Sequence, residues 1–152
     1  AMRSVLARAT SEVDSLDARA LSLAGLLEVS DVVTLHVPLL PETRGLIGVR
    51  ELARMKPDAV LINAARGGVV DEVALAQSLE QGSIGGAAVD VYTEEPPESN
   101  PLFSLNGEGA QRVLFTPHIA GVTRQAWVHL FEAAWNNVVR VLERGEPASN
   151  RL

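Results

Sequence analysis

Arg66, Glu95 and His118 are three side chains which, brought together, could carry out acid–base chemistry on a small anion. An arginine guanidinium is a planar, permanently charged fork that can grip a carboxylate through two hydrogen bonds; lysine has no such fork. A histidine changes charge near neutral pH and can give or take a proton. A glutamate hydrogen-bonded to that ring favours the imidazolium and fixes its orientation. Each residue alone also has an ordinary explanation. Arg66 could be a surface arginine beside a turn, Glu95 a solvated loop acid, His118 a packed histidine after Pro117, and Asp90 the cap of a turn.

Their surroundings change that balance. Ala59-Val60-Leu61-Ile62 has the length and bounds of a buried strand, and it delivers Asn63-Ala64-Ala65-Arg66-Gly67-Gly68-Val69-Val70-Asp71-Glu72 at its carboxyl end. The paired glycines allow a sharp turn or a close approach, and Asp71 is placed to cap the next helix, predicted from Glu72 to Gln81 and closed by Gly82. Further strands are expected at Met2 to Ala7, Asp31 to Pro38, Gly85 to Val91 and Arg112 to His118. The small residues of the strand at Gly85 would let a helix pack closely. Helices are predicted at Leu23 to Val29, near Val49 to Met55, and from about Thr123 to Arg144, where Trp127, Phe131, Trp135, Val138 and Leu142 form one stripe. The segment up to Asp17 reads as polar loop, and Thr93 to Leu105, rich in proline and acid, reads as a second loop.

Alternation of strands and helices argues for an α/β fold with β-α-β crossovers and a parallel sheet. Each strand changes character at its carboxyl end: His36 and Pro38, then Asn63 and Arg66, then Asp90 and Glu95, then Thr116 and His118. In an open parallel sheet that edge is where ligands bind. An Arg, a Glu and a His along one rim are harder to dismiss together than singly.

Composition narrows the partners. The chain is 47% hydrophobic with a net charge of −6, and its thirteen Lys and Arg are scattered, which argues against a nucleic-acid surface. No apolar run approaches the length of a membrane span, and no signal segment opens the chain. Zero cysteines rule out disulfides and thiolate metal sites and fit a cytoplasmic location. The three histidines, at 36, 118 and 129, share no metal-ligand spacing, so no metal is expected.

Three stretches, Asn63-Ala64-Ala65-Arg66-Gly67, Asp90-Val91-Tyr92-Thr93-Glu94-Glu95-Pro96 and Thr116-Pro117-His118-Ile119-Ala120-Gly121, resemble in order and separation the signatures of the D-isomer-specific 2-hydroxyacid dehydrogenases. The resemblance runs from about Leu26 to the end of the chain, and three ordered motifs make it specific. It implies a Rossmann-type sheet and hydride transfer between NAD or NADP and a small 2-oxo or 2-hydroxy acid, as in the glyoxylate, hydroxypyruvate and phosphoglycerate enzymes. It also implies that Arg66 binds and polarises the oxo acid, that His118 exchanges the proton, and that Glu95 orients His118. Glu94 competes for that last role, but Glu95 holds the matching position before Pro96. The resemblance further puts Asp90 at the nicotinamide, Val37, Pro38 and Thr43 along the cofactor, and Ala64, Ala65, Arg66, His118, Ala120 and Gly121 around it. A homodimer using Trp127, Phe131 and Trp135 is implied as well, although a stripe at helical spacing is more often plain core.

The chain departs from the family pattern in one respect. No Gly-x-Gly-x-x-Gly occurs, and the glycines at 82, 85 and 86 have the wrong spacing and precede a strand. The expected organisation is therefore a partial dinucleotide-binding domain over residues 1–122 and a C-terminal helix and tail over 123–152. The first strand with its phosphate loop and the N-terminal substrate half are absent, and the fragment is expected to be inactive alone. At the end of the first expected strand Arg8-Ala9-Thr10 carries no acid for ribose hydroxyls, which tilts the cofactor towards NADP. Two alternatives stay open: a dinucleotide-sensing regulatory or corepressor-like protein, and a formate or phosphite dehydrogenase of the same family.

Overall fold

A computed structural model describes residues 4–6 and 18–149. The chain forms two compact units, residues 1–118 and 119–152.

In the first unit, β1 (Ser4–Leu6) and β2 (Ala18–Ala20) pair in parallel as a two-stranded sheet. β1 falls within the strand expected at Met2 to Ala7. β2 was not anticipated, because Ala-Arg-Ala is too short to show alternation and carries no β-branched side chain. The main sheet has four parallel strands in the order β3 (Val32–Leu35), β4 (Val60–Asn63), β5 (Gly86–Val89) and β6 (Val113–Phe115). β3, β5 and β6 lie inside the stretches expected, and β4 runs one residue past Ile62, the expected end, to take in Asn63. Parallel neighbours need crossover connections, and these carry the helices.

α1 (Leu23–Val29) starts where the Ser22 hydroxyl accepts the Gly25 N–H at 3.2 Å, and it buries Leu26 and Leu27. α2 (Val49–Leu52) is shorter than its pattern suggests. After Leu52 the amides of Arg54 and Met55 reach back only three residues, and Pro57 disfavours helical backbone in the residue before it. α3 (Glu72–Glu80) is capped as expected, with Asp71 Oδ1 accepting the N–H groups of Val73 at 3.0 Å and Ala74 at 3.1 Å. It ends at Gly82, whose φ of +64° suits the left-handed turn there, while Ser83 N–H donates to the Ser78 carbonyl.

Between β5 and β6 the expected loop contains a 3-10 turn at Pro101–Ser104, and a short helix, α4 (Gly107–Gln111), follows it. Neither has enough turns to show a periodic pattern, and both take their stability from packing. Leu102 is fully buried, and a Cβ on Gly109 would lie 3.3 Å from the Glu80 backbone at the end of α3. The glycines opening β5 also serve differently from the expectation. A Cβ on Gly85 would lie 2.5 Å from the Asp58 carbonyl oxygen, and one on Gly86 would lie 2.7 Å from that of Arg112. They admit flanking backbone rather than a helix. The core is aliphatic, with Leu27, Ile47, Leu52, Leu61, Leu75 and Leu79 sealed from solvent.

The second unit is dominated by α5 (Arg124–Arg144). Thr123 Oγ1 accepts the Ala126 N–H at 3.0 Å at one end, and Gly145, with φ +64°, closes the other. Among the described residues no helix is long and apolar enough to cross a membrane, and no group of side chains is suited to hold a metal ion.

Candidate functional site

The last residues of the four strands, Leu35, Asn63, Val89 and Phe115, lie in one row across the main sheet. Because all four strands are parallel, His36, Ala64, Asp90 and Thr116 begin the next row, and every connection leaves from the same rim. Register alone therefore brings the candidate chemistry to one edge.

At the end of β4, Asn63 is buried and turns the chain. Its Oδ1 accepts the Ala65 N–H at 3.3 Å and its Nδ2 donates to the Arg66 carbonyl at 3.3 Å. Ala64 is half-buried, Ala65 buried and Arg66 exposed. The Arg66 guanidinium folds back, with Nη1 donating to the Ala65 carbonyl at 2.6 Å. Gly67 lies directly on the backbone of Tyr92, and Gly68 holds φ +79°, a conformation glycine adopts without penalty.

At the end of β5, Asp90 is only 5% exposed, and the hydroxyl of Thr116, the residue after β6, donates to its Oδ1 at 2.5 Å. Tyr92 ties the same two strand ends together, its hydroxyl lying 3.1 Å from the Val89 carbonyl and 2.9 Å from the Thr116 carbonyl. Burial, and then the negative charges of Asp90, Glu72 and Glu95, push this phenol above its ordinary range, so it remains a donor. The Tyr92 N–H donates to Glu95 Oε1 at 3.0 Å, and the Glu95–Pro96 peptide is cis.

At the end of β6, His118 has φ +53°, a left-handed conformation uncommon for a residue other than glycine. Such strain persists where the surroundings over-determine it. Here the ring sits against Glu95, with Nδ1 2.8 Å from Oε2 and 3.0 Å from Oε1. Of the two adjacent acids, it is Glu95 whose carboxylate meets the imidazole. With Nδ1 facing the carboxylate, Nε2 lies across the ring from it.

The Glu95 carboxyl is held below the usual glutamate range, first by the hydrogen bond to His118 and then by the Tyr92 N–H, while burial and Asp90 oppose. A lowered folded value means that the contribution to stability is complete above the unfolded value and is lost as pH falls through the folded one. Below about pH 4.5 the protein is therefore expected to lose stability through this group, and Glu95→Gln should flatten that acid limb. Thermal unfolding between pH 6 and 3 reads this, and parallel acid limbs in the two proteins would contradict it.

The other candidates are placed as follows. Thr43 closes the loop after β3, its hydroxyl donating to the Pro38 carbonyl at 2.6 Å and accepting the Leu40 N–H at 2.8 Å. Val37 is half-buried and Pro38 exposed in that loop, whereas the ring of His36 bonds back to Thr34 Oγ1 at 3.0 Å. Ala120 and Gly121 belong to the second unit, shortly before the cap of α5. Arg8 lies outside the described residues. Three participants escaped the sequence reading: Tyr92, Glu72 and Asn100. Of these, only Asn100, standing before Pro101 as a helix cap, carries a local signal.

Residues 2–120 match the sequence profile of the D-isomer specific 2-hydroxyacid dehydrogenase NAD binding domain. A glycerate dehydrogenase from Methylorubrum extorquens is 45% identical over 116 residues, covering 76% of this chain and 36% of that protein. An (S)-sulfolactate dehydrogenase from Chromohalobacter salexigens is 48% identical over 124 residues, covering 82% of this chain and 39% of that one. The crystal structure of D-mandelate dehydrogenase from Rhodotorula graminis, in its holo form, superposes with a TM-score of 0.83 at 31% identity, over 98% of this chain and 43% of that one. The chain thus spans well under half the length of these relatives. It belongs to the D-isomer-specific 2-hydroxyacid dehydrogenase family, as part of the NAD-binding domain.

Proposed function

We propose that this domain serves an enzyme interconverting a 2-oxo acid and a D-2-hydroxy acid, with Arg66, Glu95 and His118 as its catalytic residues. The observation that carries the reading is the carboxylate–imidazole pair of Glu95 and His118 at 2.8 Å, set at the carboxyl rim of the parallel sheet. A bound nicotinamide dinucleotide supplies the hydride, which no side chain can. The residues suit its nicotinamide end: Asp90 is a buried carboxylate held by Thr116, Val37 and Pro38 offer apolar surface, and Ala64 and Ala65 are small side chains at the strand end. We assign Thr43, Ala120 and Gly121 to the same role from the family motifs.

His118 donates a proton to the carbonyl oxygen in reduction and takes one from the hydroxyl in oxidation. Glu95 keeps the ring turned and favours its charged form. Arg66, swung from the Ala65 carbonyl, grips the substrate carboxylate as a fork and polarises the neighbouring carbonyl. Arg66→Lys keeps the charge but not the fork, so kcat/KM for the oxo acid is expected to fall roughly a hundredfold, the cost of one or two charge-assisted hydrogen bonds. A loss under threefold would remove the bidentate grip.

The enzyme is tested by assaying the full-length protein against a panel of 2-oxo acids with NADH and NADPH. Turnover on at least one acid supports the reading, and turnover only on formate or phosphite, or none at all, sinks it. Arg8 favours NADPH in that comparison. The 152 residues alone are expected to give no turnover, since they contain no glycine-rich phosphate loop. We further read the protein as a homodimer using α5, where Phe131 is 63% and Trp135 68% exposed; sedimentation of Trp135→Glu as a monomer would support this, and an unchanged dimer would not.

A further inference from the structure

We propose that Glu72 is a positioning residue for the reaction, clamping both ends of the loop that carries Glu95 and so holding the Glu95–His118 pair in register. The inference rests on the dehydrogenase reading above. Glu72 opens α3, whose Leu75 and Leu79 are sealed in the core, so its backbone is fixed. Its Oε1 accepts the Thr93 N–H at 2.8 Å, and its Oε2 accepts a hydrogen from Asn100 Nδ2 at 2.8 Å. These two partners bracket residues 94–99. Asn100 is itself buried, and its Oδ1 accepts the Leu102 N–H at 3.0 Å, which anchors the far end of the loop to the core. The near end is anchored by Tyr92, whose N–H holds Glu95 Oε1.

A carboxylate is the group this position requires. Both partners are N–H donors, and only an ionised carboxyl offers an acceptor at each oxygen. Glutamine would turn an NH2 group towards either the Thr93 amide or the Asn100 amide. The acid stands among like charges, since Asp90, Glu72 and Glu95 all act on the Tyr92 phenol. Two charge-assisted hydrogen bonds outweigh that repulsion. A helix-dipole role by itself explains an acid in the first turn, but not the pairing of its two oxygens with both ends of one loop.

The pairing can be swapped in polarity. In Glu72→Gln with Asn100→Asp, the glutamine oxygen accepts the Thr93 N–H and its NH2 donates to the aspartate, whose other oxygen keeps the Leu102 N–H. In the full-length enzyme, Glu72→Gln is expected to lower kcat about tenfold with KM changed less than about threefold, the penalty of a misplaced proton donor. The pH at which reduction falls off should also move down, because Glu95 supports the charged ring less well. The double variant should recover kcat to within about threefold, together with the parental pH profile. Loss of kcat without a change in profile, or a double variant no better than either single, overturns the proposal. Hydrogen exchange at the Thr93 amide separates this from failure of the enzyme reading. Protection lost in Glu72→Gln and restored in the double variant establishes the clamp even if the parent reduces no oxo acid, and unchanged protection refutes it.

Discussion

Replacing His118 with glutamine is expected to lower kcat for 2-oxo acid reduction by roughly a hundredfold to ten-thousandfold, the range that positioned proton transfer contributes. Glutamine still presents a hydrogen-bond donor, so substrate binding should change little and the loss should fall on kcat rather than KM. The pH dependence supplies the sign. Reduction takes a proton from the ring, so its rate is expected to fall as pH rises. Oxidation returns a proton to the ring, so its rate is expected to fall as pH drops. Both limbs should vanish in His118→Gln, because the ring that exchanges the proton, held by Glu95 at 2.8 Å, is gone. Steady-state kinetics in both directions across pH 5 to 10 provides the measurement. A variant that retains kcat within threefold, or one that keeps the wild-type pH limbs, would take His118 out of the mechanism.

The elements of this site were legible to different depths. β4 and α3 could be read because their signals are local: a bounded apolar run for the strand, and Asp71 before a helical pattern for the cap. His118 and Glu95 could be read as candidates from their places past strand ends, and the choice of Glu95 over Glu94 comes from the family motif, which sets the acid before Pro96. That these two side chains meet is a consequence of register, because β5 and β6 pair from Ala87↔Val113 to Val89↔Phe115. No spacing in one dimension encodes that pairing. Glu72 shows the limit most clearly. In sequence it is an ordinary first-turn acid beside Asp71, and its two partners lie 21 and 28 residues away. Tyr92 is similar, since its hydroxyl reaches a carbonyl 24 residues on. Short elements were lost for another reason: β2 is defined by pairing with β1, α4 and the 3-10 turn at Pro101–Ser104 pack against α3, and their own residues carry too little propensity to announce them.

Gly67 joins the two halves of the site, and Gly67→Ala is expected to damage both stability and activity. An alanine Cβ there would lie 1.8 Å from the Tyr92 carbonyl oxygen, 2.1 Å from its carbon and 2.6 Å from the Thr93 nitrogen. All three are backbone atoms, so no side-chain rotation relieves the clash. Either the turn carrying Arg66 or the segment carrying Tyr92 and Thr93 must shift by more than an ångström. The second segment is held by the Tyr92 hydroxyl, by its N–H to Glu95 and by the Thr93 N–H to Glu72. The first is held by Asn63 through Ala65 and Arg66. Whichever yields, hydrogen bonds break and the turn carrying Arg66 moves relative to the segment leading to Glu95. Overpacking of a tight site costs about 1–3 kcal/mol and occasionally more; a clash with backbone on both sides belongs at or above the top of that range. The same substitution at Gly25, inside α1, meets only the Ser22 hydroxyl at 3.4 Å and should be neutral or slightly stabilising, since alanine is the better helix former. Urea unfolding of the two variants side by side decides the matter. If Gly67→Ala unfolds within about 1 kcal/mol of the parent and keeps its kcat/KM, the close approach of the two crossovers is not a requirement of the site.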